Sequence, residues 1–339
     1  MTTEPIALTR KDFESDQEVR WCPGCGDYGI LAAIQFVLPE LAVKPEEMVF
    51  VSGIGCAARL PYYMNTYGVH SIHGRAPALA TGVAMTRPDL HVWVIGGDGD
   101  MLSIGGNHLI HALRRNVNLK IVMLNNQIYG LTKGQYSPTS EVGKVTKSTP
   151  FGSVDFPFNP LSVALGAEAS FVARTHDMDR KHMMETFRRM HAHRGAAFVE
   201  IFQNCNVFND GAFGGLLKKD VRADMLIELR HGERIRFGTD GQLGVAVNEF
   251  GEPHVVAVAD VGDEGLLVHD ERRADPTLAF ALSRLSTGPH MPTPIGVFRD
   301  VDRPVYDAEV QRQLVAASER SGPGDLAKIL ASGPTWSVD

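Results

Sequence analysis

At 339 residues the chain can hold one large domain or two ordinary ones, with an ample core. Hydrophobic residues are 44% and charged residues 22%, the balance of a globular protein rather than a disordered one. Lys plus Arg total 33 against 40 Asp plus Glu, a net charge of −7, which argues against a nucleic-acid binder but leaves room for anionic substrates at a local site.

Met1 to Arg20 is polar, with no apolar core of signal-peptide length, and no stretch approaches the roughly 18 apolar residues of a membrane span. The expectation is a cytoplasmic protein with no membrane partner. There, four cysteines suit metal or redox chemistry better than disulfides.

In chain order, the first feature is Cys22-Pro23-Gly24-Cys25, a C-x-x-C knuckle whose Pro and Gly shape a turn that points two thiolates at one centre. Gly24 to Gly29 also matches G-x-G-x-x-G, but Glu18–Pro23 before it is no apolar strand, so the dinucleotide reading fails. A helix is expected at Ile30–Leu38 and a buried strand at Met48–Ser52, which runs into Gly53-Ile54-Gly55-Cys56. His70 and His73 form an H-x-x-H with no further donor at ligand spacing, followed by a helix at Ala76–Thr86. A strand at His91–Ile95 leads to Gly97-Asp98-Gly99-Asp100; after a helix at Ile104–Arg115, a strand at Leu119–Leu124 leads to Asn125-Asn126. Met183, Phe187 and Met190 share one face of a helix at Met178–His193 and read as core. A fourth strand, Phe198–Phe202, precedes Cys205. Strands alternating with helices predict an α/β fold, a mostly parallel sheet flanked by helices.

Composition shifts near Asn209. Beyond it come strand-like runs at Leu243–Val247 and His254–Val258 and helices at Tyr306–Glu319 and Asp325–Ala331, none with a chemical signature. The expected organisation is a binding domain over 1–210 and a small C-terminal extension over 211–339 that packs on it or on a partner.

The most specific feature is the pairing of Gly-Asp-Gly with Asn-Asn. Glycines let backbone N–H groups approach a phosphate closely. Asp98 and Asn126 fall at the C-terminal ends of two neighbouring strands, where α/β sheets bind ligands. Oxygen donors of this kind suit a hard divalent ion bridging to a diphosphate, with Mg²⁺ the natural choice. Each half alone is an ordinary turn. Together, with a helix between them, they resemble the thiamine-diphosphate motif, which implies Mg²⁺ ligation by Asp98, Asn126 and the Ile128 carbonyl.

Cys22, Cys25, Cys56 and Cys205 can hold structural Zn²⁺ or a [4Fe–4S] cluster. A zinc ribbon uses two paired knuckles. Here one pair and two singles at strand ends gather beside the phosphate motif, which favours an electron-carrying cluster.

Trp21–Cys25 (WCPGC), Gly53–Cys56 (GIGC), His73–Ala76 (HGRA), Gly97–Asp100 (GDGD), Asn125–Gln135 (NNQIYGLTKGQ) and Cys205, in this order, resemble the β subunits of 2-oxoacid:ferredoxin oxidoreductases, nearest to those acting on 2-oxoglutarate. The resemblance spans residues 15–215. It implies a [4Fe–4S] cluster on the four cysteines and thiamine diphosphate with Mg²⁺ against Gly55, Cys56, His73, Gly97, Asp98, Gly99, Asp100, Asn126, Ile128, Leu131 and Thr132. It also implies catalytic roles for His73 and Lys133, with Lys133 and Arg75 as cations for the substrate carboxylates. The implied reaction is oxidative decarboxylation of a 2-oxoacid with coenzyme A, electrons passing through the cluster to ferredoxin, and it is reversible as CO2 fixation. No motif identifies the glutamate that thiamine enzymes set against the aminopyrimidine, and the resemblance assigns that group to an α subunit in an αβ or α2β2 assembly. The rival readings are the same chemistry on pyruvate or another 2-oxoacid, a thiamine decarboxylase or synthase subunit without electron transfer, and a zinc-stabilised scaffold.

Overall fold

The computed structural model describes residues 8–285, 291–334 and 336; the first seven residues of the polar amino-terminal stretch lie outside them. Among the described residues, no helix is long and apolar enough to cross a membrane.

Eleven strands are present among the described residues: β1 (Met48–Ser52), β2 (Tyr67–His70), β3 (His91–Gly97), β4 (Lys120–Asn125), β5 (Phe171–His176), β6 (Ala197–Phe202), β7 (Leu226–Leu229), β8 (Arg236–Phe237), β9 (Leu243–Val247), β10 (Pro253–Ala257) and β11 (Thr293–Asp300). Eight form one sheet in the order β2-β1-β3-β4-β6-β5-β11-β7, and β10-β9-β8 form a small antiparallel sheet. β1 to β6 run parallel; β11 pairs antiparallel with β5 and parallel with β7.

The helices that position the site are α1 (Asp27–Val37), α2 (Ala76–Thr86), α3 (Asp98–Leu102), α4 (Gly106–Arg115), α5 (Pro160–Gly166) and α6 (Arg180–Ala192). Side chains alternate faces along a strand. Val49 and Val51 of β1 therefore join one buried cluster with Ala76, Ala80 and Ala84 of α2, while Met48 and Phe50 join another with Ile30 and Ile34 of α1. Both faces are covered, which is why the parallel strands read as unbroken apolar runs. The Met183, Phe187 and Met190 stripe of α6 is fully buried against the second cluster, core as expected. At about 1.5–3 kcal/mol for each large apolar side chain buried, these three anchor α6 to the sheet.

The expected strands and helices of the first two-thirds are present, Met48–Ser52 and Ala76–Thr86 with unshifted ends and the others with ends shifted by a few residues. The expected division at 210 does not separate two folding units. β11, from the C-terminal part, hydrogen-bonds to β5 and carries β7 beside it, so this segment completes the main sheet. β5 and β11 escaped the hydrophobic pattern because polar residues interrupt it, and those residues are paired in the fold. Arg174 of β5 meets Glu200 of β6 at 2.7 Å, with both side chains almost fully buried.

Chain order turns back in space at β1: β2 lies on one side of it and β3 and β4 on the other. Such a switch point leaves a crevice at the carboxyl ends of the strands. The segments Gly53–Cys56, Gly97–Asp100, Asn125–Ile128 and Gln203–Cys205 all leave the sheet at that edge.

Candidate functional site

A cleft of about 640 Å³ opens at this edge, lined by Gly55, Cys56, His73, Gly97, Asp98, Gly99, Asp100, Asn126, Ile128, Leu131 and Thr132, with Tyr129 and Tyr136 among its other walls. Every position that the sequence suggested for the diphosphate cofactor is therefore in one place. β3 ends at Gly97 and the next turn buries Asp98, whose Oδ2 accepts from the hydroxyls of Ser137 at 2.5 Å and Thr139 at 2.6 Å. Burial nonetheless pushes the Asp98 carboxyl up to about 6, because these two hydroxyl bonds do not offset its removal from water. A divalent cation would relieve that cost.

The Asn-Asn turn is held on both sides. Asn125 donates to Glu200 at 2.7 Å and accepts from the Gln127 N–H, while Gln127 takes a φ of 57°, the left-handed region. Asn126 donates to Gln203 and accepts from the Ile128 N–H. The Ile128 carbonyl is engaged by no other residue among those described. Gly99 has a steric reason: a Cβ there would lie 2.3 Å from the Tyr129 ring, whose hydroxyl donates to the Gly99 carbonyl.

Asp100 lines the cleft, but its Oδ1 is occupied. It accepts the backbone N–H groups of Ile54 (3.0 Å) and Gly74 (2.8 Å) and meets His73 Nδ1 at 2.6 Å. Gly53 must be glycine, since a Cβ would sit 1.9 Å from Asp100 Oδ2.

Beside the cleft lies a second cavity of about 190 Å³, walled by Cys22, Cys25, Cys56 and Cys205 together with Trp21, Arg59, Lys133 and Phe208. Four thiols from three distant parts of the chain thus converge. The knuckle is pinned by the Cys25 N–H to the Cys22 carbonyl, by Asn206 to the Pro23 carbonyl and by the Trp21 indole N–H to the Cys56 carbonyl. A Cβ on Gly130 would lie 3.6 Å from both Cys56 Sγ and Cys205 Sγ, so both sulfurs approach the same glycine. Burial pushes the Cys56 thiol up to about 12 and raises Cys25 further, with buried Asp27 adding to both.

Among the described residues no group of three or more His, Cys, Asp or Glu side chains is gathered closely enough to hold a metal ion. The four thiols line one cavity, a donor set of the kind that holds zinc or an iron–sulfur cluster.

The two expected substrate cations do not line the cleft. Arg75 turns its guanidinium to the Ile104 carbonyl at 3.2 Å. Lys133, on a left-handed residue with φ 77°, lines the cysteine cavity, although its neighbours Leu131 and Thr132 line the cleft. Gln203 and Arg59 went unnoticed in the sequence, since nothing in their spacing distinguishes them from structural residues.

Comparisons with known proteins agree with this geometry. The family described as thiamine pyrophosphate enzyme, C-terminal TPP binding domain, matches residues 53–201. The 2-oxoglutarate oxidoreductase subunit KorB of Mycobacterium tuberculosis is 58% identical over 97% of this chain and 88% of its own length. A 2-oxoacid:ferredoxin oxidoreductase subunit beta of Saccharolobus solfataricus is 44% identical over 56% of this chain and 63% of its own. In solved structures, a chain of the 2-oxoglutarate:ferredoxin oxidoreductase from Magnetococcus marinus, with 2-oxoglutarate, coenzyme A and succinyl-CoA bound, superposes with a TM-score of 0.75 at 33% identity, covering 97% of both chains. A thiamine-type cleft beside a ring of four thiols, in a chain this similar to these relatives over nearly its whole length, places it in one family: the chain belongs to the β subunits of the 2-oxoacid:ferredoxin oxidoreductases.

Proposed function

We propose that this chain is the β subunit of a cytoplasmic 2-oxoglutarate:ferredoxin oxidoreductase. The complex converts 2-oxoglutarate and coenzyme A to succinyl-CoA, CO2 and a proton, and passes two electrons singly to two ferredoxins; strongly reduced ferredoxin drives the reverse carboxylation. The observation that carries the reading is the shared wall of the two cavities. Cys56, Asn126, Gly130 and Leu131 line both, so electrons leaving the cleft meet the thiol ring at once. The choice of 2-oxoglutarate follows the names of the relatives.

When bound, thiamine diphosphate supplies the electron sink for loss of CO2, and a [4Fe–4S] cluster supplies the one-electron path. This chain's residues supply placement. Asp98, the Asn126 side chain and the Ile128 carbonyl would hold Mg²⁺, with Gly97 and Gly99 keeping the wall low enough for a diphosphate. His73 has Nδ1 committed to Asp100, which leaves Nε2 as the nitrogen free for a cleft ligand. Cys22, Cys25, Cys56 and Cys205 would ligate the cluster as thiolates, a form that burial disfavours at Cys25 and Cys56 until iron binds. Lys133, a long cation on the loop between the cavities, would reach a substrate carboxylate. Arg75 would contribute only if released from the Ile104 carbonyl.

The cleft lacks an assigned carboxylate for the aminopyrimidine, and an α subunit would supply it. On the segment that follows Ser148 of the cleft wall, Phe151 and Phe156 are essentially fully exposed, with Val154 between them at 84% exposure. An apolar patch of this kind marks a partner surface.

The test is reduction of ferredoxin or a viologen by the co-purified complex, kept free of oxygen, with coenzyme A and a panel of 2-oxoacids. 2-Oxoglutarate should give the highest kcat/KM, and iron and sulfide should co-purify. A preparation without iron, or a clear preference for pyruvate, overturns the assignment.

A further inference from the structure

We infer that Gln203 is a positioning residue that couples the cofactor metal site to the thiol ring, holding Asn126 with its carbonyl oxygen and donating an N–H to Cys25 sulfur. This rests on the function proposed above. Gln203 is the first residue after β6 and is 1% exposed. Its backbone N–H donates to the Asn125 carbonyl at 2.9 Å, which fixes it against the Asn-Asn turn. Its Oε1 accepts from Asn126 Nδ2 at 2.7 Å, and its Nε2 lies 3.4 Å from Cys25 Sγ and 2.5 Å from the Asn204 carbonyl.

The network determines which end of each amide is which. Asn126 Oδ1 accepts from the Ile128 N–H, so Nδ2 must face Gln203. The Gln203 atom receiving that N–H is therefore oxygen. The other end is the NH2 group, whose two protons are matched by one carbonyl and one sulfur. Both ends of the side chain are committed, one to each site.

The consequence is electrostatic. Accepting one electron adds one negative charge to a centre that four thiolates already make anionic. An N–H donated to a ligating sulfur stabilises the reduced form and raises the reduction potential. A cation held by Asn126 Oδ1 would fix the Asn126 amide, hence the Gln203 amide, hence that N–H. Filling the cofactor site is therefore felt at the cluster through two hydrogen bonds.

The test uses the oxygen-protected αβ complex and measures the cluster midpoint potential by EPR-monitored titration, with and without Mg²⁺ and thiamine diphosphate. In the unaltered complex the potential should rise when the cofactor binds. Gln203→Met removes both contacts and should lower the potential and abolish the cofactor-linked rise, with iron content retained. Gln203→Glu keeps an acceptor for Asn126 but has no N–H for the sulfur, so it should retain cofactor and still lose the rise; an effect of added charge alone would lower the potential and leave the rise intact. Iron-replete variants that keep the cofactor-linked rise overturn this inference alone. An unaltered complex without iron overturns it together with the proposed function.

Discussion

His73 Nδ1 and Asp100 Oδ1 lie 2.6 Å apart, and that same oxygen also accepts the N–H groups of Ile54 and Gly74. One buried carboxylate thus ties the turns after β1, β2 and β3 into a single wall of the cleft. Its motif neighbour Asp98 has the opposite character, bonded to hydroxyls and short of positive charge.

Replacing Asp100 with Ala should therefore act first on stability. Hydrogen bonds to charged groups contribute about 1.5–3 kcal/mol each, and the three share one acceptor, so a loss of about 3–5 kcal/mol is expected. Urea unfolding measures it. Asp100→Asn keeps one acceptor oxygen and should lose less.

Asp98→Asn should leave the fold intact and abolish retention of Mg²⁺ and thiamine diphosphate through gel filtration. The pH dependence has a definite sign. With a folded pKa raised to about 6, the metal-free protein gains stability from the protonated carboxyl below its unfolded value and loses it as pH rises through 6. Mg²⁺ binds the ionised form, so its affinity by calorimetry should climb between about pH 5 and 7 and then level off. A flat profile would remove Asp98 from the ligand set.

Arg174 and Glu200 form a buried pair that also anchors Asn125, since Glu200 Oε1 accepts from Asn125 Nδ2. Arg174→Leu leaves that carboxylate buried and uncompensated, an expected cost of about 3–5 kcal/mol. Adding Glu200→Leu should recover part of it, as a double-mutant cycle will reveal.

His176 is 1% exposed with Nδ1 unpartnered, and burial pushes its pKa down to about 4. The unfolded chain takes up a proton near pH 6.5 while the fold refuses it, so stability falls as pH drops from about 6.5 through 4. Between about pH 7 and 5 this contributes about 2 kcal/mol of loss. In His176→Phe the loss should disappear; an unchanged acid limb would assign it elsewhere.

The zinc-scaffold and non-redox readings each leave one of the two cavities without purpose. Gly130 lies in the wall that the two cavities share, within van der Waals reach of the Cys56 and Cys205 sulfurs.

Local pattern alone carries four of the parallel strands, β1, β3, β4 and β6, the glycine-bounded turns and the order of the chemical motifs. These are local: apolar runs with covered faces, and Gly-Asp-Gly or Asn-Asn at strand ends. Helix Pro160–Gly166 carried a readable signal too, Asn159 capping the Ser162 N–H ahead of a proline, although the hydrophobic pattern did not flag it. That β5 and β11 join the main sheet, that Lys133 lines the cysteine cavity, that Asp100 clamps loops and that Gln203 spans two sites follows from folding alone. Each of these depends on a partner far away along the chain: a buried Arg is strand-compatible only because Glu200 neutralises it, and a glutamine becomes a bridge only where folding sets an amide on one side of it and a sulfur on the other.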